Sequence, residues 1–309
     1  MHLVGPYTVR QVGEHTWVLV GADGGRYPAG NSVVVRGADA TAIIDPSTSV
    51  VAAGGVILDG SDVAVDRVVL THAHEDHLAG VHLFPAATVE VHEADLGGVR
   101  SLDGLMTMYG MEPAVEHAFR TTVVDDFTYV ARPDAQGFVE GSVIELGGTT
   151  ITVVHLPGHT RGHSALFIEP DGVLVTGDID LTAFGPYYGD AWSDLDDFVA
   201  SLERIRAIEA AAYVTFHHRG VIDDRAEFVR LLDGFASVIA DRERRMVELM
   251  TEAPRTLEEL VAHRFVYRPH VQLDLVDGVE RRSAELSLRR LLAAGAVVEA
   301  DGRYVAAAN

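Results

Sequence analysis

DRVVLTHAHEDHLAG, residues 66–80, runs from a β-branched apolar segment straight into three histidines and an acidic pair. The first part reads as a short strand, and the part after Leu70 as the loop at its end, where rigid scaffolds present chemical groups. In an extended segment, residues two apart point the same way, so His72 and His74 can grip one ion together. Asp76 and His77, where the chain starts to turn into a helix, can grip a second. Imidazole nitrogen and carboxylate oxygen suit borderline divalent cations such as zinc. A solvated histidine-rich loop is the ordinary alternative, but it predicts nothing further along the chain.

Composition sets the frame. The 309 residues are 48% hydrophobic, with a mean hydropathy of +0.14, enough to bury one large domain and a small one. The formal net charge is −22, and all 24 basic residues are arginine. Such a surface repels phosphate backbones unless a local basic patch overrides it, so nucleic acid is disfavoured as a partner. Cysteine is absent, which removes thiolate ligands and nucleophiles and leaves His, Asp and Glu to hold any metal. The start, MHLVGPYTVR, has no charged-then-apolar export pattern, and no apolar run approaches bilayer length, so a cytoplasmic chain without a membrane partner is expected.

Short β segments follow one another through HTWVLVG, NSVVVRG, TAIIDPS, RVVLTHAH and TVEVHEAD. A less regular stretch from about 96 to 134 carries Met106, Met108, Tyr109 and Met111, read either as a mobile cap over a pocket or, preferably, as ordinary core packing. Strands resume, with hairpin turns at Gly147-Gly148 and Asp171-Gly172. A helix is expected over SDLDDFVASLERIRAIEA, capped by Ser193, with Leu195, Phe198, Leu202 and Ile205 on one face. Beyond about Ala236, the segments 238–250, 256–264 and 283–294 read as helices, and a hairpin turns on Asp301-Gly302. This is the pattern of a winged helix. Arg289 and Arg290 fall on its would-be recognition helix, but structural support or an oligomer contact, including a homodimer, is the preferred role for the tail. The expected architecture is α+β: a sheet-on-sheet sandwich flanked by helices over 1–235, then a small winged-helix-like domain over 236–309.

Further ligand types appear in order at the ends of later strands. ITVVHLPGHT places His159 on a Pro-Gly turn, DGVLVTGDID places Asp178 beside a glycine, and AYVTFHHRG places His217 and His218 after a third strand. His-x-His-x-Asp-His, Pro-Gly-His, Gly-Asp and a late His together resemble the metallo-β-lactamase superfamily, which includes glyoxalase II, over roughly residues 10–235. The resemblance implies an αββα sandwich and a binuclear site. His72, His74 and His159 would hold one metal, Asp76, His77 and the late histidine the other, and Asp178 would bridge. Alignment on the family's Pro-Gly-His-Gly ending favours His218, with His217 the alternative. His82, His92, His155, His163 and His270 are expected to be structural or supporting.

Two divalent ions, zinc first with iron or manganese compatible, imply hydrolysis by a hydroxide held between them, with Asp76 and Asp178 as the catalytic carboxylates. The tail is similar to that of the lactamase-beta-2-like branch, which contains thioesterases and an endoribonuclease. A thioester or ester hydrolase acting on a small molecule is therefore the leading expectation. An endoribonuclease, a phosphodiesterase or a lactonase is the alternative, and a metal-binding protein without activity is the reading from another class. A charged substrate would be held by Arg161, by Arg219 or by the metals themselves. Glu75, in a position the family leaves variable, is expected to tolerate alanine.

Overall fold

The computed structural model describes residues 6–307. The first half comprises β1 (Thr8–Gln11), β2 (Thr16–Val20), a short turn α1 (Ala22–Gly25), β3 (Ser32–Arg36), β4 (Thr41–Ile44), α2 (Thr48–Ala53), the ribbon β5 (Ile57–Leu58) and β6 (Ser61–Asp62), β7 (Arg67–Val69), α3 (Glu75–Leu78), β8 (Thr88–His92), α4 (Leu96–Arg100), α5 (Leu102–Tyr109), α6 (Pro113–Asp125) and β9 (Gln136–Phe138). The second half adds β10 (Val143–Glu145), β11 (Thr150–His155), β12 (Ser164–Glu169), β13 (Val173–Val175), α7 (Leu195–Arg206), β14 (Ala212–Val214), β15 (Val221–Ile222) and α8 (Arg225–Glu252). The tail is α9 (Leu257–His263), α10 (Val276–Ala293) and the hairpin β16 (Val297–Ala300) and β17 (Arg303–Ala306). No helix among the described residues is long and apolar enough to cross a membrane.

One sheet runs β1-β2-β3-β4-β7-β8-β9 and the other β10-β11-β12-β13-β14-β15. Side chains alternate across a strand. Leu19, Val34, Ile43 and Val68 therefore pack outward against Leu105, Met106 and Met108 of α5. Their neighbours Val18, Val33, Ile44 and Val69 pack inward against Ile151, Val153, Leu166 and Val214 of the second sheet. That sheet's outer residues, Leu174 and Tyr213 among them, meet Phe198 of α7 and Phe228 of α8. The result is an αββα sandwich. Strands buried on both faces have no polar side to show, which is why β3 and β4 read as unbroken apolar runs.

The stretch 96–134 is helical as far as Asp125 rather than irregular, and Met106 and Met108 are buried in the core, with Met111 half-buried against it. The expected boundary at 235/236 falls inside α8, a continuous 28-residue helix. Phe228, Leu232, Phe235 and Ile239 belong to the sandwich, whereas Met246 and Met250 belong to a second core with Leu260, Leu288 and Val297. The helix thus passes from one core to the other between Ile239 and Met246. Arg289 and Arg290 do not project freely: they pair with Asp194, Asp196 and Glu243.

β4 and β7 are parallel, as are β13 and β14. Their carboxyl ends therefore deliver Asp45, the His72–His77 loop, Asp178 and His217 to one rim, the edge where open α/β sheets commonly bind ligands.

Candidate metal centre

The loop after β7 is held before any ion is considered. Thr71 donates to Asp45 through its backbone N–H (2.8 Å) and its hydroxyl (2.7 Å). Asp45, at the end of β4, has φ 47°, a left-handed conformation that aspartate tolerates better than most residues. Asp95 accepts from Ala73 N–H (3.3 Å), Thr160 Oγ1 (2.7 Å) and Gly162 N–H (2.7 Å), tying the first histidine loop to the one that carries His159. Neither carboxylate is picked out by the sequence reading. The signal for both is an aspartate placed at a strand end, in TAIIDPS and TVEVHEAD.

Ligand-type atoms converge in two groups, His72, His74, His159 and Asp178 in one and Asp76, His77 and His217 in the other. In the first, His72 Nε2, His74 Nδ1 and His159 Nε2 lie 3.0–3.2 Å apart, and His159 Nε2 lies 3.3 Å from Asp178 Oδ2. Nitrogens bound tetrahedrally at the usual zinc distance would sit about 3.3 Å apart. In the second group, His217 Nε2 is 2.9 Å from Asp76 Oδ2 and His77 Nε2 is 2.9 Å from Asp178 Oδ1. Asp178 thus offers one oxygen to each group. Gly177, before it, has φ 55°, and a Cβ there would sit 2.5 Å from His163 Nε2.

His217, not His218, enters the site. β14 ends at Val214, Phe216 stacks on His77 with ring centres 3.6 Å apart, and a tight turn closes with Arg219 N–H on His217 O (2.7 Å). His218 then takes φ 61° and is exposed. The alignment on Pro-Gly-His-Gly is therefore one residue too late.

The remote nitrogens of four of the five histidines are committed as donors, and that of His74 faces a carboxylate without a hydrogen bond. His159 Nδ1 donates to Tyr187 O (3.0 Å), His217 Nδ1 to Gly25 O (2.8 Å) and His77 Nδ1 to Asp45 Oδ2 (3.0 Å). His72 Nδ1 donates to Thr71 Oγ1 (3.1 Å), whose own proton goes to Asp45. His74 Nε2 faces Asp190 Oδ2 at 3.0 Å. Each inner nitrogen is then left with a lone pair or a second proton, the outer-partner arrangement typical of metal-ligating histidines. The electrostatics favour extra positive charge. Burial lowers the His217 pKa, but Asp180, Asp76 and Asp178 outweigh it and push it up to about 10. His74, against the same burial, is raised to about 9 by Asp190 and Glu75, and His77 well above its ordinary value by Asp45 and Asp178. Burial alone pushes the Asp178 carboxyl up, yet His77, His159 and His217 hold it well below the carboxylate range. Buried nitrogens and carboxylates arranged in this way fit divalent cations.

Supporting residues complete the centre. His163 donates to Leu156 O and accepts Asp178 N–H (3.1 Å), with burial and His159 pushing its pKa down to about 3. Ser193 does not cap α7. Asp194 does, while Ser193 Oγ donates to His159 O (2.8 Å). Asp190, missed in the sequence, accepts from Tyr187 Oη (3.0 Å) on its other oxygen. Glu75, expected to be dispensable, is buried and accepts from Tyr27 Oη (3.1 Å) and from Tyr109 Oη. Tyr109 in turn stacks on His74, with ring centres 5.1 Å apart. Arg161 stacks over Trp192 at 4.7 Å. Beside His217, the exposed His218 is held below its ordinary value by partial burial, by His217 and by the guanidiniums of Arg26 and Arg219.

The metallo-beta-lactamase superfamily model matches residues 26–218. A hydroxyacylglutathione hydrolase from Fuscovulum blasticum is 26% identical, with 70% of this chain and 74% of that protein covered. An acyl-coenzyme A thioesterase from Bos taurus is 28% identical, with 58% and 69% covered. A metallo-beta-lactamase family protein from Thermus thermophilus shares the fold at a TM-score of 0.68, with 23% identity over 90% of this chain and 94% of that one. The family model spans the strands and loops that bring both donor groups together, and on that match the chain belongs to the metallo-beta-lactamase superfamily.

Proposed function

We propose that the protein is a binuclear metal-dependent hydrolase of small thioesters or esters. The observation that carries this reading is Asp178, which presents one oxygen to each of two donor groups in which His72, His77, His159 and His217 have their outer nitrogens committed. Two divalent cations, zinc first because the donors are nitrogen-rich, would polarise a carbonyl and supply hydroxide near neutral pH. His72, His74 and His159 would hold one, and Asp76, His77 and His217 the other. Burial raises the Asp76 pKa, but His77 and His217 overcome it and keep the carboxylate ionised, able to orient or accept a proton. Tyr27, 51% exposed over Glu75, offers an aromatic edge beside the site.

The relatives that are a hydroxyacylglutathione hydrolase and an acyl-coenzyme A thioesterase favour the thioester. The tail, which we read as winged-helix-like, serves as support, since Arg289 and Arg290 are spent on carboxylates of this same chain. The test is metal analysis coupled to a panel of thioesters, lactones, nitrocefin and single-stranded RNA. We expect about two divalent ions per chain and fastest turnover of a thioester. Fewer than one ion after supplementation, or RNA cleavage exceeding thioester hydrolysis, would overturn the reading.

A further inference from the structure

In a chain of net charge −22, free arginines are informative. Arg67, Arg120, Arg206, Arg230, Arg244 and Arg281 each pair with a carboxylate. Arg26 and Arg219 have no such partner among the described residues, although both are exposed. Both also flank the same ligand-type histidine. Arg26 follows Gly25, whose carbonyl accepts from His217 Nδ1, and Arg219 N–H closes the turn on His217 O.

Their backbones are pinned. Buried Asn31 accepts Gly21 N–H (3.0 Å) and donates to Gly24 O (2.9 Å) and Thr215 O (3.2 Å), clamping the α1 turn to the end of β14. Gly24 and Gly25 take φ 71° and 82°. A Cβ on Gly24 would lie 3.0 Å from His218 O, and one on Gly25 would lie 2.6 Å from the Asn31 side chain, so the two loops touch. Arg219 Nε rests on Leu181 O (3.3 Å). Fixed backbones thus place two arginines without a carboxylate partner on either side of His217, in the loops next to the exposed Tyr27. An otherwise acidic surface repels an anionic substrate, and a local positive rim is what reverses that at the mouth.

We propose that Arg26 and Arg219 form an anion-binding rim that holds a phosphate or carboxylate group on the thiol portion of the substrate. The inference rests on the thioester reading for its role in turnover, and it extends the expectation for Arg219 to a pair. Guanidinium forks match both oxyanions in geometry, so the shared chemistry is an oxyanion.

The test compares charged and neutral versions of one thiol on metal-loaded protein at low ionic strength. Coenzyme A is set against pantetheine for phosphate, and glutathione against its diethyl ester for carboxylate, with affinities measured by calorimetry. The charged partner is expected to bind at least about tenfold more tightly in one of the two arms, and that arm names the anion. Arg26→Gln with Arg219→Gln should bring the ratio close to one. Arg26→Lys with Arg219→Lys should restore part of it, and Arg244→Gln, whose partners are Asp241 and Glu248 further along α8, should leave it unchanged. Metal content and melting temperature are checked in every variant. Equal binding of charged and neutral partners in both arms, or a ratio that survives the double Gln variant, would overturn the rim. A wild type that prefers the charged thiol and loses that preference in the variant, yet hydrolyses no thioester, would sustain the rim and sink the hydrolase reading.

Discussion

At the scale of single residues, two neighbours separate ligand from bystander. His217 is buried with Nε2 on Asp76, and His218 is exposed in a left-handed turn. His217→Ala should therefore remove metal from the second group, visible as a stoichiometry near one per chain, while His218→Ala should keep two; the opposite ranking would sink the assignment. Glu75 makes the second case. Its side chain is not part of the ligand pattern and so reads as dispensable, but Tyr27 and Tyr109 both donate to it. Glu75→Ala should lower unfolding stability in denaturant by about 2–4 kcal/mol, because it leaves the buried Tyr109 hydroxyl without its acceptor. Loss under about 0.5 kcal/mol would make Glu75 dispensable after all. The ligand histidines are legible because they recur at strand ends in a fixed order. Asp45, Asp95 and Asp190 are not, because each acts on residues far along the chain (His77, Gly162 and His74), and a lone aspartate in sequence shows nothing of that.

At the scale of elements, the strands are readable from their apolar runs and hairpin glycines, and the helices less so at their starts. α8 begins at Arg225 and α10 at Val276, both earlier than expected, since Gly234 and Gly278 interrupt the pattern without interrupting the helix. Both glycines have open space where a Cβ would go. Gly234→Ala should raise stability by about 0.5–1 kcal/mol, read as a higher urea midpoint at unchanged slope; a lower midpoint would mean that the helix needs the glycine. α8 also reaches the metal centre indirectly. Arg242, buried, donates to Pro186 O and Phe184 O (both 2.6 Å) and lies over the Tyr188 ring at 5.3 Å. Those bonds fix the segment that carries Tyr187 and Asp190, which orient His159 and His74. Arg242→Met should keep the fold while weakening metal binding to the three-histidine group by about tenfold or more, measured by competition with a chromophoric chelator; unaltered affinity would make Arg242 a packing residue only.

At the scale of the whole molecule, the two cores share α8, and Arg282 of α10 donates to Asp190 O (3.2 Å) and Ser193 O (2.9 Å), so the tail steadies the loop behind the metal centre. Protonation couples the same centre to stability. His74 and His217 are raised to about 9 and about 10, and His77 well above its ordinary value, by the carboxylates packed around them, Asp190 and Glu75 on His74, Asp180, Asp76 and Asp178 on His217, and Asp45 and Asp178 on His77. A histidine raised in the folded state stabilises the metal-free protein fully below its unfolded pKa of about 6.5, and that stabilisation is lost as pH rises through the raised value. Cations need the same inner nitrogens bare, so their binding must expel protons, and their affinity must climb through the window in which the metal-free protein weakens. Adding zinc to chelator-stripped protein near pH 7 should therefore release protons into a weakly buffered solution. The gap in melting temperature between loaded and stripped protein should widen from about pH 6 to about pH 8.5, because tighter binding adds stability by mass action. Zinc uptake without proton release, or a gap that narrows with rising pH, would show that the inner nitrogens are already bare and that the carboxylates do not hold protons against the metal.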